Sequence, residues 1–192
     1  MTKIIQPLRH MKVFDPHVFN TLGERIDVIG CGATGSRIAL SLAKLGINNI
    51  HIWDDDVIEE HNPANQVFGN QHVGEKKVVA MQKIIKEQTG IDVVIHQEKF
   101  DGSQSVGSIV FLLTDTMASR KEIWEKSIRL KLNVKLMIET RMGADVGRVY
   151  SIIPIQMAHI QGWEETLCAD DVATDSLCGS RVSVGPTAEI IS

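Results

Sequence analysis

A glycine-rich turn followed by three consecutive aspartates is the pattern in this sequence with the clearest chemical meaning. Residues Val28–Ser36 read V-I-G-C-G-A-T-G-S, and Asp54 follows nineteen residues after Gly35. In such a turn Gly30 permits a tight bend, Gly32 lets a phosphate approach the backbone, and Gly35 lets helix pack on strand. N–H groups at a helix start favour an anion, and an acid roughly 20 residues further on commonly binds ribose hydroxyls. The pattern predicts a nucleotide site; the alternative is a turn that binds nothing.

The residues after the aspartates depart from an ordinary dinucleotide-binding pattern. Residues 57–70 show no convincing periodicity, and Asn62 precedes a proline, which is a turn signal. Long loops inside compact domains are often functional. This one carries amide side chains and leads to Lys76 and Lys77, so it offers hydrogen-bond donors and positive charge for phosphate oxygens. A solvated surface loop with a lysine pair is the alternative.

Asp115 follows a predicted buried strand, residues 109–113, and precedes a predicted helix. Open parallel sheets bind ligands at the carboxyl ends of their strands, so Asp115 is expected in the same crevice as Gly30 and Asp54. A carboxylate opposite phosphates makes physical sense chiefly when Mg²⁺ lies between them. Capping the helix is a second role open to Asp115. The combined set favours a nucleoside triphosphate over a nicotinamide cofactor.

The elements that must position these side chains alternate between strands and helices. Hydrophobic patterns predict strands over residues 25–30, 50–54, 93–95, 109–113, 134–138 and 148–153, and helices over 34–45, 73–88 and 117–130. This alternation predicts an α/β, Rossmann-like fold with a mainly parallel sheet and helices on both faces. We expect one domain over residues 1–192, with an N-terminal arm over 1–24 and an irregular, crossover-like segment over 154–185.

Composition excludes several classes of protein. The chain has 192 residues, 43% of them hydrophobic, and a net charge of −4, which argues against a general nucleic-acid-binding surface. No apolar run approaches the roughly 20 residues of a membrane span, and the N-terminus lacks the apolar core of a signal peptide. Three cysteines without a C-x-x-C pair fit a reducing compartment. We therefore expect a cytoplasmic protein without a membrane partner.

The ordered motifs over residues 25–120 resemble those of the ubiquitin-activating-enzyme-like adenylyltransferases, the ThiF/MoeB/HesA family. The family pattern is G-x-G-x-x-G-S, D-x-D, N-x-x-R-Q, G-x-x-K and a strand ending in D-N-x-x-x-R. The corresponding segments here are Gly30–Ser36, Asp54–Asp56, Asn62–Gln66, Gly74–Lys77 and Asp115–Arg120.

The resemblance implies MgATP-dependent adenylation of the C-terminal glycine carboxylate of a small ubiquitin-like or sulfur-carrier protein. The nucleotide-binding residues that it implies are Gly30, Gly32, Ala33, Gly35, Asp54, Asp56, Asn62, Gln66 and Lys77. Lys77 and Asp115 would act in catalysis, with Asp115 holding Mg²⁺. The attacking carboxylate is already ionised, so no general base is required. Some relatives activate a modified tRNA nucleoside, which keeps tRNA open as an acceptor, although nucleic acid is not otherwise expected.

Three departures from the family pattern leave alternative functions open. Asn65 stands where the family has a loop arginine, so one positive charge is missing from the phosphate site. The chain has none of the C-x-x-C pairs that hold zinc in relatives, so no structural zinc is expected, and it is shorter than typical members. A catalytically weak or inactive nucleotide-binding subunit is therefore the second hypothesis. An NAD-dependent oxidoreductase is the third hypothesis. It ranks last because the sequence shows no catalytic group of residues and no substrate domain for that reaction.

Residues near both ends of the chain complete the expected site. Family members are usually dimers in which an N-terminal arginine reaches the partner's nucleotide, so we expect a homodimer in which Arg9 supplies the charge that Asn65 lacks. Many members also use a cysteine to receive the activated tail or sulfur. Cys168 and Cys178 are the candidates, and the glycine, serine and arginine after Cys178 make its setting the more electropositive. Packing beneath a final helix is the alternative for Cys178.

Overall fold

Strands and helices alternate along the chain in the computed structural model, which describes residues 11–142 and 147–168. The strands are β1 (Ile26–Ile29), β2 (Ile50–Trp53), β3 (Val94–His96), β4 (Ile109–Leu112), β5 (Leu136–Met142) and β6 (Gly147–Ile152). The α-helices are α1 (Pro16–Thr21), α2 (Ala33–Lys44), α3 (Lys77–Thr89), α4 (Met117–Ile123) and α5 (Met157–Glu164). Arg9 and Cys178 lie outside the described residues.

The six strands form one sheet in the order β3-β2-β1-β4-β5-β6. The first five are parallel to their neighbours, and β6 pairs antiparallel with β5. In register, Ile29 at the end of β1 lies between Trp53 of β2 and Leu112 of β4. Because β1 lies in the middle, the chain reverses its direction of travel across the sheet after β3. The predicted Rossmann-like, mainly parallel sheet is confirmed.

Helices cover both faces of the sheet because the residues of β1 alternate between two cores. Ile26 and Val28 belong to a core that α2 and α3 complete with Ile38, Ala39, Val78, Met81 and Ile85. Ile29 belongs to a second core that β4, α4 and α5 complete with Val110, Leu112, Ile123, Ile160 and Trp163. Burial of apolar side chains on both faces stabilises the sheet. Within residues 11–142 and 147–168, no helix is long and apolar enough to cross a membrane.

Three predicted elements differ from those observed. The predicted helix over 73–88 begins only at Lys77, because Gly74 adopts a φ of +90° and Lys76 bridges to Val57. The predicted helix over 117–130 changes at Trp124 into a π-helix that runs to Ile128. The segment after residue 154 was expected to be irregular, and this is wrong for Met157–Glu164, which form α5.

A buried carboxylate organises the face of the sheet that carries α4 and α5. Glu139 of β5 is completely buried and accepts hydrogen bonds from Arg141 Nε at 2.7 Å and from Trp163 Nε1 at 2.6 Å. Arg120 Nε of α4 lies 2.9 Å from the same carboxylate. Arg141 also donates to the backbone carbonyl of Thr166, beyond the end of α5. One negative charge therefore joins β5, α4 and α5.

Two histidines meet across β2 and β3. His51 Nδ1 lies 3.0 Å from His96 Nε2, and the His96 ring stacks on Trp53 with 3.4 Å between ring centroids. Burial and the guanidinium of Arg25 lower the pKa of both histidines below their usual value. The pair is therefore neutral in the folded protein at neutral pH, with one ring nitrogen donating to the other, and protonation of both rings would bring two donors together.

We expect Glu139→Gln to destabilise the fold by about 3–5 kcal/mol, since it leaves two guanidinium groups beside a neutral amide in a buried site. Urea unfolding of the native and variant proteins measures this loss. The matched control is Glu164→Gln, which also removes a carboxylate bonded to a tryptophan and an arginine, but at a half-buried position. There we expect a loss of about 1 kcal/mol or less. Equal losses for both variants would contradict the central role of Glu139.

The histidine pair predicts an acid-sensitive stability. Folded-state pKa values below 6.5 mean that the unfolded chain binds more protons as the pH falls, so stability decreases below about pH 6.5. We expect the melting temperature of the native protein to fall between about pH 7.5 and about pH 5.5 by more than that of His51→Gln. The exposed His17 provides the control, since His17→Gln should show the native pH dependence. Identical profiles for all three proteins would contradict the prediction.

Candidate functional site

Three adjacent strands end at one edge of the sheet, and the predicted site residues follow them. Gly30 comes after β1, Asp54 after β2 and Asp115 three residues after the end of β4. Backbone hydrogen bonds continue just past the strands, from the Gly30 N–H to the Trp53 carbonyl and from the Leu113 N–H to the Ile29 carbonyl, both at 2.9 Å. The fold therefore brings these three segments together at the crevice where parallel sheets bind ligands.

The glycine turn leaves an open space over the start of α2. Gly30 has a φ of +96°, and a Cβ there would lie 2.7 Å from the Leu113 carbonyl oxygen. A Cβ on Gly35 would lie 1.9 Å from the Gly30 carbonyl oxygen, so the first turn of α2 packs directly against the bend. A Cβ on Gly32, in contrast, would meet nothing within 4 Å. Packing requires two of the glycines, and the third keeps space open beside the N–H groups of Ala33 and its neighbours.

The carboxylate of Asp54 links the end of β2 to the glycine turn by a hydrogen bond. One carboxylate oxygen accepts the backbone N–H of Cys31 at 2.7 Å, and the other accepts that of Asp56 at 2.8 Å. Burial raises the pKa of Asp54, and the charge of Lys77 opposes that shift. A carboxylate oxygen can accept more than one hydrogen bond. Asp54 can therefore hold the turn and still accept a hydroxyl from a ligand.

Lys77 is the first residue of α3, and its ammonium group is buried beside two carboxylates. Its Nζ lies 2.5 Å from Asp56 Oδ2, and its backbone N–H donates to the Asp56 carbonyl at 3.0 Å. Burial alone would lower the pKa of Lys77, but Asp54 and Asp56 together raise it. Lys77 therefore stays charged at neutral pH. In this structure the carboxylate of Asp56 binds the ammonium group of Lys77.

The loop between β2 and α3 is ordered by its own amide groups. Asn62 is buried, its side-chain oxygen accepts the Glu59 N–H at 2.9 Å, and its carbonyl accepts the N–H groups of Asn65 and Gln66. Asn62 therefore stabilises the conformation of the loop through hydrogen bonds inside it. The side-chain oxygens of Asn65 and Gln66 are buried and have no hydrogen-bond partner among the described residues. A buried polar atom without a partner costs free energy, so a ligand donor at this place would be stabilised.

The end of β4 presents Thr114 and Asp115. Asp115 is exposed, and its backbone carbonyl accepts a hydrogen bond from Arg120 Nη1. Thr116 caps α4, because its hydroxyl accepts the Ser119 N–H at 3.2 Å, so the capping role considered for Asp115 is wrong. Sequence analysis missed Thr114, whose buried hydroxyl has no partner among the described residues and whose backbone adjoins Gly30. Its place directly after a buried strand is the signal that could have indicated it.

Arg37 is a second residue that sequence analysis missed. It lies one turn into α2, and its Nη1 donates to the carbonyls of Ala33 at 2.9 Å and of Asn65 at 2.6 Å. Side chains of a helix point back toward its N-terminus, which brings the guanidinium to the glycine turn. That direction is the signal that could have identified it.

The described cysteines occupy contrasting environments. Cys31 is completely buried in the glycine turn, and burial raises the pKa of its thiol well above the usual value, so it is not a nucleophile. Cys168 is exposed and lines a cleft of about 1030 Å³. The other lining residues come from α4, from the π-helix and the residue after it, and from the end of α5 and the segment after it: Met117, Ala118, Lys121, Trp124, Glu125, Arg129, Glu164 and Leu167. The cleft thus reaches the start of α4, two residues beyond Asp115.

The sequence profile of the ThiF family matches residues 11–192. Among individual proteins, the chain is 25% identical to the sulfur carrier protein ThiS adenylyltransferase of Escherichia coli over 177 residues, which are 88% of this chain and 68% of that protein. The match to the family thus extends over the whole sheet and the candidate site.

Solved structures show the same fold. The E. coli MccB structure with AMPCPP and MccA superimposes with a TM-score of 0.63 at 18% identity, over 87% of this chain and 52% of that one. E. coli tRNA N6-threonylcarbamoyladenosine dehydratase, TcdA, gives a TM-score of 0.54 at 20% identity, over 61% and 51%. The chain spans about half the length of these two proteins, and 12% of the length of one curated relative that it matches.

The two contrasting glycines predict opposite outcomes for the same substitution. Gly35→Ala should lower the melting temperature, with a loss of about 1–3 kcal/mol, because the new Cβ must displace the Gly30 carbonyl. Gly32→Ala should leave the stability of the ligand-free protein within about 0.5 kcal/mol of the native value, since its Cβ enters open space. Urea unfolding measures both changes. If Gly32→Ala were the more destabilising variant, the described shape of the turn would be wrong.

Proposed function

Because the chain belongs to the ThiF family, we propose that it is an ATP-dependent adenylyltransferase that activates a C-terminal carboxylate. The observation that carries the proposal is the meeting of the glycine turn, Asp54, Lys77 and Asp115 at one edge of the sheet. The buried side-chain oxygens of Asn65, Gln66 and Thr114, which have no hydrogen-bond partner within residues 11–142 and 147–168, lie on the segments around that edge. A ligand with both donors and negative charge fits this surface, and a nucleoside triphosphate has both.

Each part of the nucleotide has residues suited to it. The N–H groups at the start of α2, from Gly32 and Ala33 onward, suit the phosphates, and the space over Gly32 admits them. Asp54 suits the ribose hydroxyls, because its oxygens can accept beyond the Cys31 and Asp56 N–H groups. Lys77 suits a phosphate oxygen, in exchange for its ion pair with Asp56.

The proposed reaction needs charge stabilisation rather than proton transfer. A carboxylate oxygen of the acceptor bonds to the α-phosphorus, the bond from that phosphorus to the oxygen bridging to the β-phosphate breaks, and pyrophosphate leaves with the electron pair. Negative charge grows on the leaving group, and the ammonium of Lys77 and the N–H groups of the turn would stabilise it. The nucleophile is ionised at neutral pH, so no side chain has to remove a proton.

The carboxylate of Asp115 suits a magnesium ion. Mg²⁺ prefers oxygen ligands and, when bound, neutralises charge on a triphosphate. Asp115 offers an exposed carboxylate at the edge where the phosphates would lie, and its backbone carbonyl accepts a hydrogen bond from Arg120 Nη1. Asp54, Asp55 and Asp56 form a second group of carboxylates with ligand atoms within 4.8 Å of one another. We assign the metal to Asp115, since Asp54 and Asp56 are engaged with the turn and Lys77.

We propose a small ubiquitin-like or sulfur-carrier protein ending in glycine as the acceptor. The similarity to the ThiS adenylyltransferase over 88% of this chain supports that class. The MccB structure contains MccA in place of a carrier protein, and TcdA is described by a tRNA nucleoside, so a peptide and a tRNA are the competing acceptors. Cys168, exposed in the cleft beside α4, is the described cysteine suited to receive an activated tail.

A homodimer in the cytoplasm remains our proposal for the assembly and its location. In it, Arg9 of each subunit would reach the nucleotide of the other. The three cysteines without a pairing motif support a reducing compartment. The second candidate function, a nucleotide-binding subunit with weak or no catalysis, is favoured by one observation, the neutral Asn65 in the phosphate loop.

Nucleotide binding and pyrophosphate exchange test the proposal together. MgATP should raise the melting temperature by more than NAD does, because a ligand selective for the folded state stabilises it. Asp54→Ala should weaken ATP binding. Exchange of labelled pyrophosphate into ATP should depend on an acceptor ending in Gly-Gly, and Asp115→Asn and Lys77→Ala should each lower the exchange rate by at least about tenfold. Glu122→Gln, which removes an exposed carboxylate from α4, should behave as the native protein.

The possible results separate the candidates. Tighter binding of NAD than of ATP, or native ATP affinity in Asp54→Ala, would contradict the nucleotide site. ATP binding without exchange on any acceptor, including MccA-like peptides and tRNA, would favour the non-catalytic subunit. Exchange at the native rate by a folded Asp115→Asn protein would remove Asp115 from the mechanism.

A further inference from the structure

Two histidine side chains on β2 and β3 face each other through their ring nitrogens. His51 Nδ1 and His96 Nε2 are 3.0 Å apart. The two rings are inclined by 25°, and the His96 ring also stacks on Trp53 with only 5° between the ring planes. Both histidines are half-buried. The sheet and the stacked tryptophan therefore hold the pair in place while it still borders solvent.

The distance between these nitrogens is that of two ligands on one metal ion. An imidazole nitrogen lies about 2.0–2.1 Å from a bound zinc ion, so two such nitrogens are about 2.9 Å apart at a right angle and about 3.4 Å apart at a tetrahedral angle. The observed 3.0 Å falls within that range. A metal ion can replace the proton shared by the two rings when each ring carries its own proton on the nitrogen that faces away.

The charges around the pair keep both rings in the form that binds metals. Burial and the guanidinium of Arg25 lower the pKa of His51 and of His96, and the carboxylate of Asp27 opposes this shift. The neutral imidazole, which is favoured at neutral pH, is the metal ligand. Arg25 pairs with the fully buried Asp27 at 2.6 Å, so its positive charge is compensated where a cation would approach.

Glu98 adds a negative charge to the same place. It follows His96 by two residues, it is exposed, and its charge acts to raise the pKa of His96. A carboxylate near two neutral imidazoles favours a dication, and carboxylate oxygens are common ligands beside histidine. Imidazole nitrogens suit zinc, copper and nickel, whereas magnesium prefers sites made of oxygen atoms.

We propose that His51 and His96 form a binding site for a divalent transition-metal ion, with Glu98 and water completing its coordination. The site uses none of the residues proposed to bind the nucleotide or magnesium, so it does not rest on the proposed function. The His96 carbonyl accepts the Asp54 N–H at 3.3 Å. A metal bound by both rings would therefore join β2 to β3 directly beside the strand end that carries Asp54.

Calorimetric titration of the native protein, without an added histidine tag, tests the site. Ni²⁺ is the probe, because thiolates also attract zinc. We expect Ni²⁺ to bind more tightly than Mg²⁺. His51→Gln and His96→Gln should each weaken Ni²⁺ binding by at least about tenfold, since even the loss of a residue that only supports a ligand has an effect of that size. Glu98→Gln should cause a smaller loss.

Two controls accompany these variants. His17→Gln removes an exposed histidine from α1 and should keep the native affinity for Ni²⁺. Asp55→Asn removes a carboxylate from the only group of three possible metal ligands among residues 11–142 and 147–168, and it should keep the native affinity as well.

Nuclear magnetic resonance of the native protein gives a readout that does not require any variant to fold. Ni²⁺ is paramagnetic and broadens the signals of the groups that bind it. At Ni²⁺ concentrations below that of the protein, the ring protons of His51 and His96 should broaden before those of His17.

The opposite results overturn the proposal. Native Ni²⁺ affinity in both His51→Gln and His96→Gln would remove the pair from metal binding. A loss confined to Asp55→Asn would assign the metal to the three aspartates, and an equal loss in His17→Gln would show binding to surface histidines in general. Ni²⁺ binding no tighter than that of Mg²⁺, or sharp ring signals for His51 and His96, would leave the pair as a hydrogen bond between two strands.

Discussion

The carboxylate of Asp54 is the contact on which the rest of the candidate site depends. It joins the end of β2 to the turn after β1 through the Cys31 N–H, and it fixes the next turn through the Asp56 N–H. Asp56 in turn holds Lys77 at the start of α3. Groups from β1, β2 and α3 are therefore positioned by one chain of short polar contacts. The buried environment that raises the pKa of Asp54 also strengthens its hydrogen bond with the N–H of the fully buried Cys31.

Charge balance explains why this arrangement is stable before any ligand arrives. Burial alone would destabilise the charged form of Lys77. The carboxylates of Asp54 and Asp56 stabilise that form and so raise the pKa of Lys77. A phosphate that approaches Lys77 must replace Asp56, which is largely exposed and can turn toward solvent. In the proposed reaction the protein would thus exchange one ion pair for another instead of burying a new charge. Arg37, near the start of α2, donates to the Ala33 carbonyl beside the glycine turn.

Local sequence predicted the parts of the molecule that local physics determines. Gly30 and Gly35 are required by backbone contacts within the turn itself, and the strands that flank the site are short apolar runs. Tertiary contacts determined the rest. Helix α5 contributes only Ile160 and Trp163 to the core, too few to produce a clear helical period. Arg37 and Thr114 became visible as site residues only when the loop and the neighbouring strand were placed beside them.

The buried carboxylate of Glu139 binds two arginines, one of which contacts the Asp115 backbone and the other the segment before Cys168. Arg120 pairs with Glu139 and also donates to the backbone carbonyl of Asp115. Arg141 pairs with Glu139 and donates to the carbonyl of Thr166, two residues before Cys168. The turn that presents Asp115, the carboxylate proposed to bind the metal, and the segment that presents the exposed thiol are therefore both anchored to one fully buried charge. Because a buried ion pair tolerates little displacement, the separation between Asp115 and Cys168 is set by packed, charged contacts and not by the surface loops alone.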